Sequence, residues 1–258
     1  MKISFFKRII YKYLIIILLV ILLPTPAIFA ELKINEFLAI NGSNLTDSDG
    51  DYSDWIEIFN TSEKTINLNG WALTDNAEIP EKWMFPNIKL GSKKYIVVFA
   101  SGKNKTSSDD LHTNFKLNGD GEYLALTRLN TVNSIDDIKL NFPAQKDGFS
   151  FGLGSNGQWK FFATPTPGKA NGSGFEDFVA DTKFDKERGF YDTPFEVNIS
   201  CDTPNAKIRY TLDGSKPTSN RGKIYRGPVP ISTTTTLRAI AYKPGMRDSN
   251  VDTSTYLF

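Results

Sequence analysis

Apolar residues recur at alternate positions in short runs from residue 31 onward, and Gly, Pro, Asn or Asp ends each run. In Trp55-Ile56-Glu57-Ile58-Phe59, Ile56 and Ile58 share one face of an extended segment and Trp55, Glu57 and Phe59 the other, because successive strand side chains point to opposite sides. The pattern predicts a sandwich strand that buries Ile56 and Ile58 and leaves a mixed aromatic face. Ile34-Asn35-Glu36-Phe37 precedes it, and Trp71-Ala72-Leu73-Thr74 follows the Asn69-Gly70 break. Further on, Phe195, Val197 and Ile199 alternate with Glu196, Asn198 and Ser200, and Ile208, Tyr210 and Leu212 with Lys207, Arg209 and Thr211. Asp213-Gly214 supplies a turn, Pro228 and Pro230 bracket a short edge segment, and residues 233–242 and 253–258 make the last strands. No stretch keeps a helical apolar period for more than two turns, so the expected class is all-β.

The first thirty residues break this pattern. Lys2, Lys7, Arg8 and Lys12 come without an acid, the apolar run 13–23 follows, and Pro24 and small or apolar residues lead to Ala30. That is the order of a secretory signal peptide, and the run is shorter than the roughly 20 residues of a membrane-spanning helix. The expectation is cleavage after Ala30, a secreted or cell-surface protein starting at Glu31, and no stable membrane span after cleavage. Without those four cations the formal charge of +1 becomes −3. Residues 31–177 carry 14 Lys or Arg against 20 Asp or Glu, and residues 178–258 carry 12 against 9, so neither part has the basic stripe of a nucleic-acid partner. Cys201 stands alone, which forbids an intramolecular disulfide and leaves stability to the apolar cores.

The segment Thr164-Pro165-Thr166-Pro167-Gly168-Lys169-Ala170-Asn171-Gly172-Ser173-Gly174 holds little that fills a core, and residues 165–177 read as a linker, extended at its prolines and flexible from Asn171 to Gly174. Ahead of it, the acidic turn 47–54 feeding Trp55-Ile56-Glu57-Ile58-Phe59-Asn60, then Leu68-Asn69-Gly70-Trp71-Ala72-Leu73-Thr74-Asp75 and Leu111-His112-Thr113-Asn114-Phe115, resemble the lamin-tail domain of secreted bacterial proteins. That resemblance, over residues 31–170, implies an immunoglobulin-like β-sandwich with no catalytic residues to carry over. Beyond the linker, Ile208-Arg209-Tyr210-Thr211-Leu212-Asp213-Gly214-Ser215-Lys216-Pro217-Thr218, with Arg188-Gly189-Phe190-Tyr191 and Thr236-Leu237-Arg238-Ala239-Ile240-Ala241, resembles the β-sandwich module appended to chitobiases, hexosaminidases and some fucosidases. Such a module is an accessory in those enzymes, so the resemblance implies tethering near glycans and no reaction. The expected organisation is a signal peptide (1–30), a first sandwich (31–164), the linker (165–177) and a second sandwich (178–258).

Chemistry is sparse. Asp47, Asp49, Asp51 and Asp54 offer the oxygen density that Ca²⁺ takes, but the loop misfits an EF-hand, with Gly50 at position four and Ile58 at position twelve. The turn is either a solvated acidic loop or a Ca²⁺ site; no other cofactor is implied. Gly148-Phe149-Ser150-Phe151-Gly152 spells a hydrolase elbow, yet no histidine follows, and His112 is the only one in the chain. Gly152 to Gly157 spells a dinucleotide motif without the βαβ unit it needs and reads as a hairpin. Trp71, Trp83, Trp159 and Tyr225 are either a sugar-stacking platform or core aromatics. The balance is an exported, non-enzymatic binding, adhesion or scaffolding protein, directed at cell-surface polysaccharide or another exported protein. The rival is the front portion of a larger exported glycoside or phosphoester hydrolase or spore-coat-type kinase.

Overall fold

The computed structural model describes residues 31–106, 110–128 and 138–258; the expected signal sequence lies outside them. Among the described residues there is no helix, and thus none long and apolar enough to cross a membrane. The strands of the first unit are β1 (Leu32–Leu38), β2 (Trp55–Asn60), β3 (Ile66–Asn67), β4 (Trp71–Thr74), β5 (Trp83–Met84), β6 (Lys89–Leu90), β7 (Tyr95–Phe99), β8 (Leu111–His112), β9 (Tyr123–Arg128), β10 (Ile138–Asn141), β11 (Ser150–Leu153) and β12 (Trp159–Phe162). Those of the second are β13 (Thr182–Phe184), β14 (Gly189–Phe190), β15 (Phe195–Val197), β16 (Ile199–Cys201), β17 (Lys207–Thr211), β18 (Lys223–Ile224), β19 (Val229–Ile231), β20 (Thr235–Tyr242) and β21 (Asp252–Leu257).

The first unit stacks a six-stranded sheet, β12-β11-β1-β2-β7-β8, on a four-stranded one, β10-β9-β4-β5. Ile34, Ile56 and Ile58 from the larger sheet meet Leu73, Leu124 and Leu126 from the smaller one in a shared core, as the alternation predicts. Each fully buried side chain of this kind contributes about 2 kcal/mol. In the second unit the five-stranded sheet β14-β21-β20-β17-β18 and the pairs β13-β16 and β15-β19 enclose Val197, Ile199, Ile208, Leu237 and Tyr256. Pro230 sits within β19, whose one partner is β15, where its missing N–H costs no ladder bond.

Two expectations need correction. The outer face of β2 is closed: Trp55 and Glu57 are both 0% exposed. Leu38, Phe99, Leu45 and Val97 cover Trp55, and the chain after β12 folds back over Glu57. The segment read as a flexible linker is therefore docked. Thr166, Gly168 and Asn171 bond to the large sheet, and Phe161 and Phe175 exchange two backbone hydrogen bonds of 2.9 Å each. Phe175 and Phe178 pack on the first core, the former stacked on Phe161 at 5.8 Å and the latter edge-on to it at 5.1 Å, so the segment carries the apolar anchors that its Pro/Gly/Ser composition hides. Val179 N–H then donates to the Arg247 carbonyl at 2.9 Å and enters the second core.

Candidate functional site

The acidic turn is built around a lysine. The Nζ of Lys103, just past β7, lies 2.6 Å from Asp47 Oδ2, 2.7 Å from Asp49 Oδ2 and 2.8 Å from Asp51 Oδ2, and Lys105 adds a second contact to Asp49 at 2.5 Å. These three aspartates bring one carboxylate oxygen each within 4.8 Å of one another, which is metal-like spacing with an ammonium at its centre. The Asp47 side chain is fully buried and also accepts from the amides of Asp49 and Asp51 and from Ser53 Oγ. Burial pushes its carboxyl up, but Lys103, the Asp51 amide and Ser53 outweigh this and hold it at about 2. Asp54 does not join the cluster. It is partly buried beside the Asn41 amide, and burial pushes it up to about 7. Of the four carboxylates that the sequence offered as a Ca²⁺ site or a solvated loop, three come together, with Lys103 in contact with each.

His112 lies next to it, fully buried, stacked on Phe99 at 5.3 Å, with Nδ1 2.9 Å from Ser101 Oγ and 4.0 Å from Asp47 Oδ2. Burial lowers its pKa. Both neighbours approach the same ring nitrogen, whereas a proton relay to a nucleophile needs one on each. Ser150, the elbow-like serine, is also 0% exposed and donates to Glu36 Oε1 at 2.5 Å.

That bond belongs to a second carboxylate group on the outer face of the large sheet. Glu36 and Glu57 are cross-strand partners beside a register shift in β1. Glu36 accepts from Ser150, from the Thr166 amide at 3.1 Å and from Thr166 Oγ1 at 2.8 Å. Glu57 accepts from Asn35 Nδ2 at 2.8 Å and from the Gly168 amide. Asn171 completes the clasp by donating to the carbonyls of Asn35 at 2.9 Å and Leu153 at 3.0 Å. Among the described residues no cation enters, and burial dominates: it raises Glu36, and it raises Glu57 to about 7 against the Gly168 and Asn35 bonds, with the Glu36 charge adding to the rise. Gly152 makes the approach possible, because a Cβ there would lie 2.5 Å from the Asn35 carbonyl oxygen and 2.8 Å from Asn171 Nδ2.

The four aromatic candidates do not form a platform. Trp71 and Trp83 face inward at 4% and 2% exposed; Arg128 lies over the first ring at 5.3 Å, and Phe85 meets the second edge-on at 5.0 Å. Trp159 is half-buried and stacks on Phe151 at 5.6 Å. Tyr225 packs on the second core, its hydroxyl accepting from the Ile199 amide at 3.2 Å. A concavity lies elsewhere. A cleft of about 800 Å³ opens where the two units meet, between Lys146, Phe149 and Phe178 on one side and Lys216, Arg238 and Arg247 on the other.

Two family models match this chain, in tandem. Residues 26–141 match the Lamin Tail Domain and residues 186–253 the Chitobiase/beta-hexosaminidase C-terminal domain, in the order that the residues predict. No curated protein and no solved structure matches. The structure adds to the lamin-tail unit β11 and β12, beyond the matched residues, since β11 pairs with β1 through Glu36 and Gly152. Sequence reasoning missed Lys103, the clasp and the cleft. Glu36 and Glu57 carried a signal, as mid-strand charges facing a side that Trp55 also shares; Lys103 reaches the acidic turn only through the pairing of β2 with β7.

Proposed function

We propose that the protein is an exported, non-catalytic adhesion or scaffolding module that attaches to cell-surface polysaccharide or to another exported protein. The observation that carries this is the tandem of a lamin-tail domain and a domain type named for chitobiases and hexosaminidases, which meet where Phe178 pairs with Arg247 and the Arg247 guanidinium lies over Phe149. The two reactive side chains that the sequence offered support it: Ser150 is engaged with Glu36 in the clasp, and His112 is enclosed. The test is co-sedimentation of the purified protein with insoluble wall polysaccharide, with release of reducing ends and of phosphate followed in parallel. Retention on the pellet without turnover is expected; turnover, or failure to bind either polysaccharide or any exported protein, overturns the reading. Because both matches are domain types, a place at the front of a larger exported enzyme is the second reading, which the coding sequence downstream of Phe258 separates from the first.

A further inference from the structure

We propose that the cleft between the two units binds an anionic glycan, a sugar chain carrying carboxylate or phosphate groups. The inference rests on the carbohydrate reading above and assigns it a place and a charge. Lys146, Lys216, Arg238 and Arg247 all line the cleft, and among the described residues none of the four forms an ion pair with a carboxylate. The cleft contains two acids. Asp181 is occupied in accepting from the amide and side chain of Asn250 at 2.9 Å and 3.2 Å, and Asp248 is the other. Four positive charges thus face two negative ones, in a chain whose portion from residue 31 is net negative.

Arg238 carries the argument furthest. It sits half-buried on β20, donates from Nη1 to the Gly214 carbonyl at 3.1 Å, and holds Nε buried with no hydrogen-bond partner. Burial of a charged N–H without an acceptor is unfavourable, and a planar guanidinium is the group best shaped to take two oxygens of a carboxylate or phosphate. Two other cations are held by rings rather than by acids. Lys146 Nζ stands 4.1 Å from the centroid of Phe178, and the Arg247 guanidinium 6.0 Å from that of Phe149. Ring faces position a cation without neutralising it, so the charge stays available to a ligand. Phe149, Phe178 and Met246 give the cleft apolar surface for the C–H faces of sugar rings, and its volume, about 800 Å³, exceeds what a lone phosphate fills. Residues 178–258 carry 12 Lys or Arg against 9 Asp or Glu, an excess too small for the basic face that a nucleic acid needs.

Calorimetric titration of the purified protein tests this with five probes: a uronate-bearing oligosaccharide, a phosphate-bearing one, a neutral chitin oligomer of equal length, inorganic phosphate and an acidic peptide. A charged oligomer should bind, more weakly as salt is raised, and Arg238→Gln should weaken it by about tenfold or more. Whichever charged oligomer binds tighter identifies the anionic group. Should Arg238→Gln disturb β20, the exposed pair Lys216→Gln and Arg247→Gln makes the same test with an unchanged melting curve. Charged-oligomer binding equal in all variants overturns the proposal. Neutral-oligomer binding that the variants leave intact overturns the cleft while the carbohydrate reading stands. Binding of inorganic phosphate alone, or tighter binding of an acidic peptide, removes the glycan; no binding to any oligomer or to insoluble wall material removes both readings.

Discussion

The lamin-tail unit buries carboxylates in two places and treats them in opposite ways. At the acidic turn a lysine supplies the counter-charge, and Asp47 is held ionised at about 2. Under the clasp, among the described residues, no cation is present, hydroxyls, amides and Asn35 donate to Glu36 and Glu57, and Glu57 is pushed up to about 7. At Glu57 the hydrogen bonds lower the carboxyl by less than burial raises it, whereas at Asp47 the Lys103 contact adds to the amide and hydroxyl bonds and tips the balance toward the charged form. The first arrangement suits a place that must hold charge at any physiological pH. The second suits a place that changes protonation near neutrality.

Removal of Lys103 should have the largest effect. Lys103→Met leaves the fully buried Asp47 without its cation and should cost about 3 kcal/mol, read as a fall in denaturation midpoint at neutral pH. An unchanged midpoint would mean that the backbone donors suffice, and the contrast between the two places would collapse.

Next comes the clasp. Gly152→Ala pushes a methyl against the Asn35 carbonyl oxygen and should cost about 2 kcal/mol, with amide exchange accelerated at Thr166 and Gly168 before the core strands respond. Exchange that accelerates uniformly would show that the clasp is not a separate layer.

The pH dependence separates the two places by sign. A carboxyl raised in the folded state stabilises fully below its unfolded value and loses that contribution as pH rises through the folded one, so stability falls from pH 4.5 to about 7 through Glu57 and from pH 3.8 to about 7 through Asp54. Asp47 acts the other way: its contribution is present above 3.8 and is lost as pH falls through about 2. Asp54→Asn should remove part of the upper slope, gaining about 1 kcal/mol at pH 8 and almost nothing at pH 4. A gain equal at both values would exclude the raised carboxyl as its source.

The smallest effect is expected from Ca²⁺. With Lys103 in contact with Asp47, Asp49 and Asp51, excess Ca²⁺ should move the melting temperature no more than Na⁺ of matched ionic strength. A Ca²⁺-specific rise of several degrees would show that the ion displaces the lysine.

What was legible in the sequence was whatever depends on neighbours along the chain. The alternation of Ile56 with Glu57, or of Ile208 with Arg209, is local, and the strands and both sandwich cores followed from it, while the two domain types followed from the resemblance of contiguous residue strings to known families. The oxygen-rich turn was visible for the same reason. Its lysine was not, because Asp47 and Lys103 are 56 residues apart and meet only once β2 and β7 pair. The clasp was hidden by composition: Thr166, Gly168 and Asn171 look like linker residues and act as hydrogen-bond donors to a sheet 111 to 136 residues earlier. Trp71 and Trp83 were ambiguous because an aromatic ring is equally suited to a core or to a sugar, and only burial distinguishes them.

The double backbone bond between Phe161 and Phe175 has a consequence for self-association. β12 is the outermost strand of the six-stranded sheet, and an open edge of that kind is a template on which another chain can add. Here the chain covers its own edge on the way to the second unit. A proteolytic nick between Asn171 and Gly174 would free that strip, and the product should then form higher oligomers through β12 while the intact protein stays dispersed, a difference that light scattering before and after limited digestion would reveal.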